Sequence, residues 1–465
     1  MAPPPLMTNE RAGMRAHLPP SAPGGALLLG SARDFQRDAL RFTQTLAALG
    51  DIVRYRFVVW PTVFLNHPDY IKRVLQENNR NYNKNVLSTQ LLKTVLGAGL
   101  LTNDGTSWLH QRRLMQPAFH RRRIAAFGTQ MTTAATAMLD RWDARPAGSA
   151  SLDAADEMME LTLRIVGMAL FGADMSEEVD TVGRSFTTIN TFLARTAYQP
   201  YVMLPGLPAQ GKRQFGAARR ELDHVVYRII AARRSEAADR ADRDDLLSLL
   251  LRARDEETGE SMNDRQLHDE VITLLLAGHE TTAVALTWTW FLLAANPDAE
   301  RRLHDELAVV LGGRVPTVDD LPNMPYTRMV IEETLRLYPP AWAILRRAIG
   351  EDQIGPYRVP EGTNIFISPY AMHRHPAFWE HPDVFDPERF TPECAADRPH
   401  FAYLPFGGGP RQCVGNTFAL TEAQLILATV AQRYRLRVAS GQAVEANPLI
   451  TLRLRRGLPV LLERI

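Results

Sequence analysis

Glu280 and Thr281 stand side by side in the middle of the longest apolar segment of this chain, DEVITLLLAGHETTAVALTWTWFLLAANP, residues 269–297. A buried carboxylate needs a partner or loses its charge. Gly278 inside a helix costs about 1 kcal/mol relative to Ala. Threonine hydroxyls bond back to carbonyls one turn earlier and bend the helix. Thr273, Ala277 and Thr281 fall one turn apart on a single face. A small residue at Ala277 would let a flat group lie against the helix, and the acid and alcohol at Glu280 and Thr281 could pass protons to it. The same residues equally describe a kinked core helix with a satisfied glutamate, and the segment alone does not choose between the two. His279-Glu280 resembles the zinc-protease HExxH pattern, but position 283 is Ala, which removes the second histidine.

A second constellation lies in FGGGPRQCVG, residues 406–415. Cys413 precedes a helix expected to start near Thr417, and a helix N-terminus offers N–H donors and positive dipole to a thiolate. Gly407, Gly408 and Gly409 permit unusual backbone angles and close approach. Phe406 could cover one side and Arg411 could neutralise a nearby anion. A thiolate, an arginine and a helix start would together suit an iron porphyrin, the sulfur on the metal and the guanidinium on a propionate. A lone cysteine is more often a small buried hydrophobe, and a cysteine nucleophile would need a positioned histidine. Cys394, His400 and Cys413 do not match zinc-site spacings.

Phe406-x-x-Gly409-x-Arg411-x-Cys413-x-Gly415 resembles the haem-ligand loop of the cytochrome P-450 family, the haem-thiolate monooxygenases. Further segments resemble that family in the same order along the chain: Trp108-x-x-x-Arg112, Ala277-Gly278-x-Glu280-Thr281-Thr282, Glu333-x-x-Arg336 and Pro387-Glu388-Arg389-Phe390. The resemblance implies a large, mainly α single domain with a minor β part, with haem b between the long central helix and the cysteine loop. Cys413 would be the iron ligand. Trp108, Arg112 and Arg411 would serve the propionates, with one of Arg346 and Arg347 on a strand; strand alternation lets only one face the haem, and Arg346 is chosen. Ala277, Phe406, Gly409 and Gly415 would complete the cradle. Thr281 would hydrogen-bond dioxygen, and Glu280 would relay solvent protons. Glu333, Arg336 and Arg389 would form a buried network beneath the cysteine loop.

The bulk composition is that of a globular protein: 465 residues, 45% hydrophobic, 23% charged, net charge +1, two cysteines. Nothing in it argues for nucleic-acid binding or a disulfide framework. Residues 1–25 read as a Pro/Gly-rich tail and 26–465 as one domain. Helices are expected over 33–49, 156–172, 218–237 and 417–434, with two short strands in 55–66 around a turn at Pro61. The ionisable centre of 269–297 argues against a membrane span. The family resemblance implies a cytoplasmic monomer that takes O2, a hydrophobic small molecule (fatty acid, alkane, terpenoid or carotenoid) and electrons from a separate ferredoxin or flavodoxin with its reductase. A peroxide-driven relative and a non-catalytic haem sensor are the alternatives. Residues 84–100, 186–206 and Ala343-Ile344 would roof the pocket, through Leu91, Leu92, Val95, Phe186, Phe192, Tyr198, Tyr201, Met203 and Leu204. His120-Arg121-Arg122-Arg123, with Arg112 and Arg113 upstream, is a candidate surface for an acidic electron carrier.

Overall fold

The apolar periodicity of 269–297 becomes one helix, Asp264–Ala295, here called the central helix. Asn263 starts it by accepting the Gln266 N–H at 2.9 Å, which satisfies a donor that a helix N-terminus otherwise leaves free. By length and composition this helix could cross a membrane, but 83% of its most apolar window is buried inside the protein. It is the axis of the core. In this computed structural model the described residues are 17–25, 29–145, 151–175, 177–198, 211–236, 245–252, 254, 261–439, 441 and 443–465.

Gly278 has a packing reason. A Cβ there would stand 3.0 Å from Val166 Cγ2, so glycine lets the central helix lie close against helix Ala154–Phe171. Helices Arg121–Asp143, Lys212–Glu236, Pro325–Leu337 and Asn416–Ala431 complete the surroundings, and one large apolar cluster joins them. Leu275 and Leu425 are fully buried in it, and each such side chain contributes about 2 kcal/mol relative to exposure. The molecule is mainly helical with a small β portion, as the order of sequence elements suggests.

The five-stranded sheet runs Ile52–Phe57, Trp60–Leu65, Asn364–Ile367, Ile344–Ala348, Tyr82–Asn83. The first hairpin turns at Val58-Val59, with Val58 at φ 54°, and not at Pro61. Pro61 instead sits within the second strand opposite Arg56, one residue before pairing to Asn364–Ile367 begins at Thr62, so its missing N–H costs no bond on that side. The helix expected over 33–49 is two, Ala32–Arg37 and Ala39–Leu49. Asp38 between them is extended, and its carboxylate caps the second by accepting the Arg41 N–H. The fold also begins inside the span read as a tail. Ala22 N–H donates to Arg54 O, and Arg54 N–H to Pro20 O, both at 2.8 Å.

The C-terminal hairpin, Ala446–Pro448 with Leu452–Leu454, folds back over the central helix. Trp288 Nε1 donates to Leu452 O at 2.8 Å, Trp342 Nε1 to Leu449 O at 3.0 Å, and Ile450 N to Asn190 Oδ1 at 3.1 Å.

Candidate active site

The cysteine loop closes on itself. Cys413 N–H donates to Phe406 O, and Gln412 N–H to Gly409 O, both at 3.0 Å. The glycines are required by their surroundings. Gly409 has φ 66° and a Cβ there would fall 1.9 Å from Leu75 O, while a Cβ on Gly408 would meet the Phe401 ring at 2.4 Å. Gly415 caps helix Asn416–Ala431, the cysteine helix. Burial pushes the Cys413 thiol up from its ordinary value; the Gly415 backbone N–H and the Arg112 guanidinium oppose that and favour the thiolate.

Cys413 retains accessible surface although protein surrounds it, so that surface belongs to an internal recess. Four cations converge near it. Arg112 donates to Gln412 O at 2.8 Å. Arg411 pairs with Asp104, donates to Asn103 O at 3.2 Å and lies 4.0 Å over the buried Trp108 ring. Arg346 feels Arg411 and Asp104, and burial beside that like charge pulls it down to about 10. Its neighbour Arg347 turns the other way, towards Gly362. Lys84 is the fourth: burial lowers it well below its ordinary value, and Arg346, Arg411 and Arg112 lower it further. Its Nζ donates to Leu101 O at 2.7 Å and its backbone N–H to Asp104 Oδ2 at 2.5 Å. Among the described residues Asp104 is the anion that acts on Lys84, Arg346 and Arg411 alike. A cluster of mutually repelling cations fits a dianion such as the two carboxylates of a porphyrin, and the thiol beside them fits its iron. Lys84 was missed in the sequence because it belongs to no motif.

On the central helix, Ala277 is exposed and Thr281 half-exposed amid buried neighbours. Thr281 Oγ1 donates to Ala277 O at 2.8 Å, the back-bond expected of it. Glu280 is 1% exposed, and both its oxygens are engaged from the C-terminal hairpin. Arg453 clasps it with two nitrogens, and Thr451 Oγ1 donates to Oε1 at 2.5 Å. In this arrangement Glu280 is an ion-pair partner, not a solvent-facing relay. His279 is a satisfied core histidine, with Nδ1 2.7 Å from Leu275 O and burial lowering its basicity.

Glu333 and Arg336 are each 0% exposed. Arg336 Nε and Nη2 donate to the two Glu333 oxygens at 2.6 and 2.7 Å. Its remaining hydrogens go to the carbonyls of His373, Pro382 and Val384. Asp386 N–H donates to Glu333 Oε1 at 2.9 Å, and Arg389 Nε stands 3.5 Å from the same oxygen. His373 was not anticipated. Its Nδ1 faces Arg336 O at 3.1 Å and its Nε2 accepts the Leu404 N–H at 2.9 Å, which links the network to the segment entering the cysteine loop.

The pocket residues chosen from sequence divide. Leu91, Val95, Phe186 and Phe192 are buried in the main apolar cluster, and Phe192 stacks on Phe215 with centroids 4.6 Å apart. Ala343 and Ile344 are half-buried. Tyr201, Met203, Leu204 and the side chain of Tyr198 lie outside the described residues. Of the basic run, His120, Arg121 and Arg122 are exposed with Arg113, whereas Arg112 is turned inward to the cysteine loop.

The cytochrome P450 family model matches residues 19–455. The chain belongs to the cytochrome P450 family. It is 41% identical over 432 residues to cyclooctatin synthase of Streptomyces melanosporofaciens, an alignment covering 93% of each chain. It is 37% identical to cyclooctat-9-en-7-ol 5-monooxygenase of the same organism, over 90% of each. It is 35% identical to pentalenene oxygenase of Streptomyces avermitilis, over 93% of this chain and 94% of the relative. As a P450 it is a haem-binding monooxygenase that uses O2, a hydrophobic substrate and electrons from a redox partner.

Proposed function

We propose that this P450 oxidises a terpenoid, inserting one oxygen atom into a C–H or C=C bond of a largely hydrocarbon skeleton. The observation that carries this reading is near full-length similarity to relatives named for cyclooctatin, cyclooctat-9-en-7-ol and pentalenene. The name of the second specifies an alcohol, so the panel to screen includes both cyclic terpene hydrocarbons and their mono-alcohols.

Cys413 would ligate the haem iron. Lys84, Arg112, Arg346 and Arg411 would hold its propionates, with Trp108 stacked beneath Arg411. When bound, the haem supplies dioxygen activation under thiolate ligation. Ala277, having no side chain beyond Cβ, leaves room at the wall, and Thr281 Oγ1 holds a proton there. Glu280 would relay protons from water only when Arg453 swings off it. Arg453 is the outward member of that pair, 16% exposed against 1%. Its Nη1 also reaches Thr187 Oγ1 at 3.3 Å.

The electron donor would be a separate ferredoxin or flavodoxin with its reductase, and the protein would act as a cytoplasmic monomer. Arg113, His120, Arg121 and Arg122 would receive the acidic carrier. They flank Phe119, whose ring is 3.7 Å from a Cβ placed on Gly415, so the patch borders the cysteine loop.

The first experiment is the carbon-monoxide spectrum of the reduced protein, followed by turnover of the terpene panel with a surrogate ferredoxin system and with peroxide alone. A red-shifted thiolate-type band and ferredoxin-supported product are expected. Product from peroxide alone would replace the redox-partner reading, and turnover of fatty acids but no terpene would overturn the substrate class. Thr281→Ala is expected to keep the band while releasing several-fold more hydrogen peroxide per reductant consumed; unchanged coupling would remove Thr281 from the proton path.

A further inference from the structure

Glu422 lies on the cysteine helix and is 0% exposed. Neither of its oxygens reaches a hydrogen-bond partner among the described residues. Orphaned buried carboxylate oxygens are rare and need a reason. The side chain that acts on this carboxyl is Thr282 of the central helix, itself 3% exposed and next to Thr281. Thr282 Oγ1 already donates its only proton to Gly278 O, at 3.3 Å. Towards Glu422 it can therefore only accept. A carboxylate has no proton to give, so only the protonated acid satisfies both groups.

We propose that Glu422 is a neutral carboxylic acid that donates to Thr282 Oγ1, and that this bond holds the Ala277–Thr281 turn of the central helix in place against the cysteine helix. Glu422 is thus a positioning residue for oxygenation, and the inference rests on the assignment of Thr281 to the proton path. The acid needs no charged partner, and among the described residues none acts on it. Burial pushes its carboxyl up to about 8, and only a Thr282 hydroxyl turned to donate would pull it the other way. The other strongly raised acid on these two helices, Glu270, differs in having a fixed donor, the Leu100 N–H at 2.9 Å. If Glu422 ionised, Thr282 would have to turn its proton from Gly278 O to the carboxylate. That would change the back-bond adjoining the one Thr281 makes to Ala277 O.

The test compares wild-type, Glu422→Gln and Glu422→Leu haem-loaded proteins, titrated from about pH 6 to about pH 10 around the buried-acid range. Infrared difference spectra of wild type should contain a protonated-carboxyl band that titrates away near pH 8 and is missing from Glu422→Gln. Peroxide released per reductant should rise several-fold over the same range in wild type. It should stay flat in Glu422→Gln, whose amide can donate to Thr282, and be several-fold high at every pH in Glu422→Leu. The carbon-monoxide band should keep its thiolate position in all three. Absence of the titrating band overturns the proposal whatever the activities. So does a Glu422→Leu protein that melts at a different temperature but couples like wild type, since the role would then be packing alone. The infrared band reads Glu422 without turnover, so its failure is distinct from failure of the monooxygenase reading, which the carbon-monoxide band reports. If Glu422→Leu does not fold, wild type and Glu422→Gln still decide.

Discussion

Glu333 and Glu280 are both buried carboxylates gripped by an arginine, yet one pair is local and the other spans much of the chain. Glu333 meets Arg336 three residues on in the same helix, and backbone groups of residues 373–386 satisfy what remains. Glu280 meets Arg453 across 173 positions, and its partner sits on a short hairpin near the end of the chain. The first pair is enclosed on every side, and both members are 0% exposed. The second has one member partly in water, with Arg453 at 16%. A pair sealed into backbone can hold the cysteine loop but cannot move. A pair with one partner at the surface can open, which a proton path needs.

That difference can be broken from either side. Arg336→Ala should have the largest effect. It strands Glu333 and the carbonyls of His373, Pro382 and Val384, and is expected to cost roughly 3–5 kcal/mol, with haem lost on purification. A variant that melts within about 1 kcal/mol of wild type in denaturant titration and keeps full haem would show the network to be dispensable. Arg453→Met should cost less, about 1–3 kcal/mol, because Thr451 still bonds Glu280 and one side of the pair already meets water. Haem content should stay normal, while the pH profile and solvent isotope effect of turnover change as Glu280 is released. Unchanged profiles would make the clamp purely structural.

A pH experiment sharpens the same contrast. Burial between Arg336 and Leu404 pulls His373 down to about 3. The folded value lies below the unfolded one near 6.5. Its contribution is therefore complete above about pH 6.5 and is lost as pH falls towards 3. Wild type should release haem with a slope over that range, and His373→Gln, unable to take a proton, should flatten it. A slope unchanged by the substitution would place the acid sensitivity elsewhere. The smallest effect is expected at the surface. Charge reversal at Arg121 and Arg122 should slow reduction by an acidic ferredoxin several-fold at low salt and leave melting within about 0.5 kcal/mol. If the salt dependence of reduction does not change, the carrier docks elsewhere.

The cysteine loop and the Glu333–Arg336 pair were readable in advance because their contacts are short in sequence. The i,i+3 spacing of Glu333 and Arg336 puts both on one helix face, and Phe406 to Cys413 closes a single loop. Strand alternation also sends Arg346 and Arg347 to opposite sides. The surroundings of the central helix were less readable. The resemblance gives Glu280 a relay role, but nothing near it in sequence reveals its partner Arg453, and nothing near Gly278 reveals Val166. Pro61 marks a turn by residue type, but it lies within the second strand just before pairing to Asn364–Ile367 begins, so no ladder bond is asked of its nitrogen on that side.

Residue spacing placed the glycine-flanked cysteine, the adjacent Glu280 and Thr281, the Glu333–Arg336 pair and the mainly helical architecture, while the roles of the cysteine and of the acid and alcohol came only from the family resemblance. Each placement rests on groups a few residues apart, whose geometry helix and strand periods already dictate. Long-range packing was needed for Lys84 and Asp104 at the cation cluster, for His373 between ion pair and loop, for the Arg453 clamp and for Glu422 against Thr282. Their partners lie tens to hundreds of residues away. Burial and charge at such sites depend on which elements come to rest together, and the local chain carries no periodic trace of that.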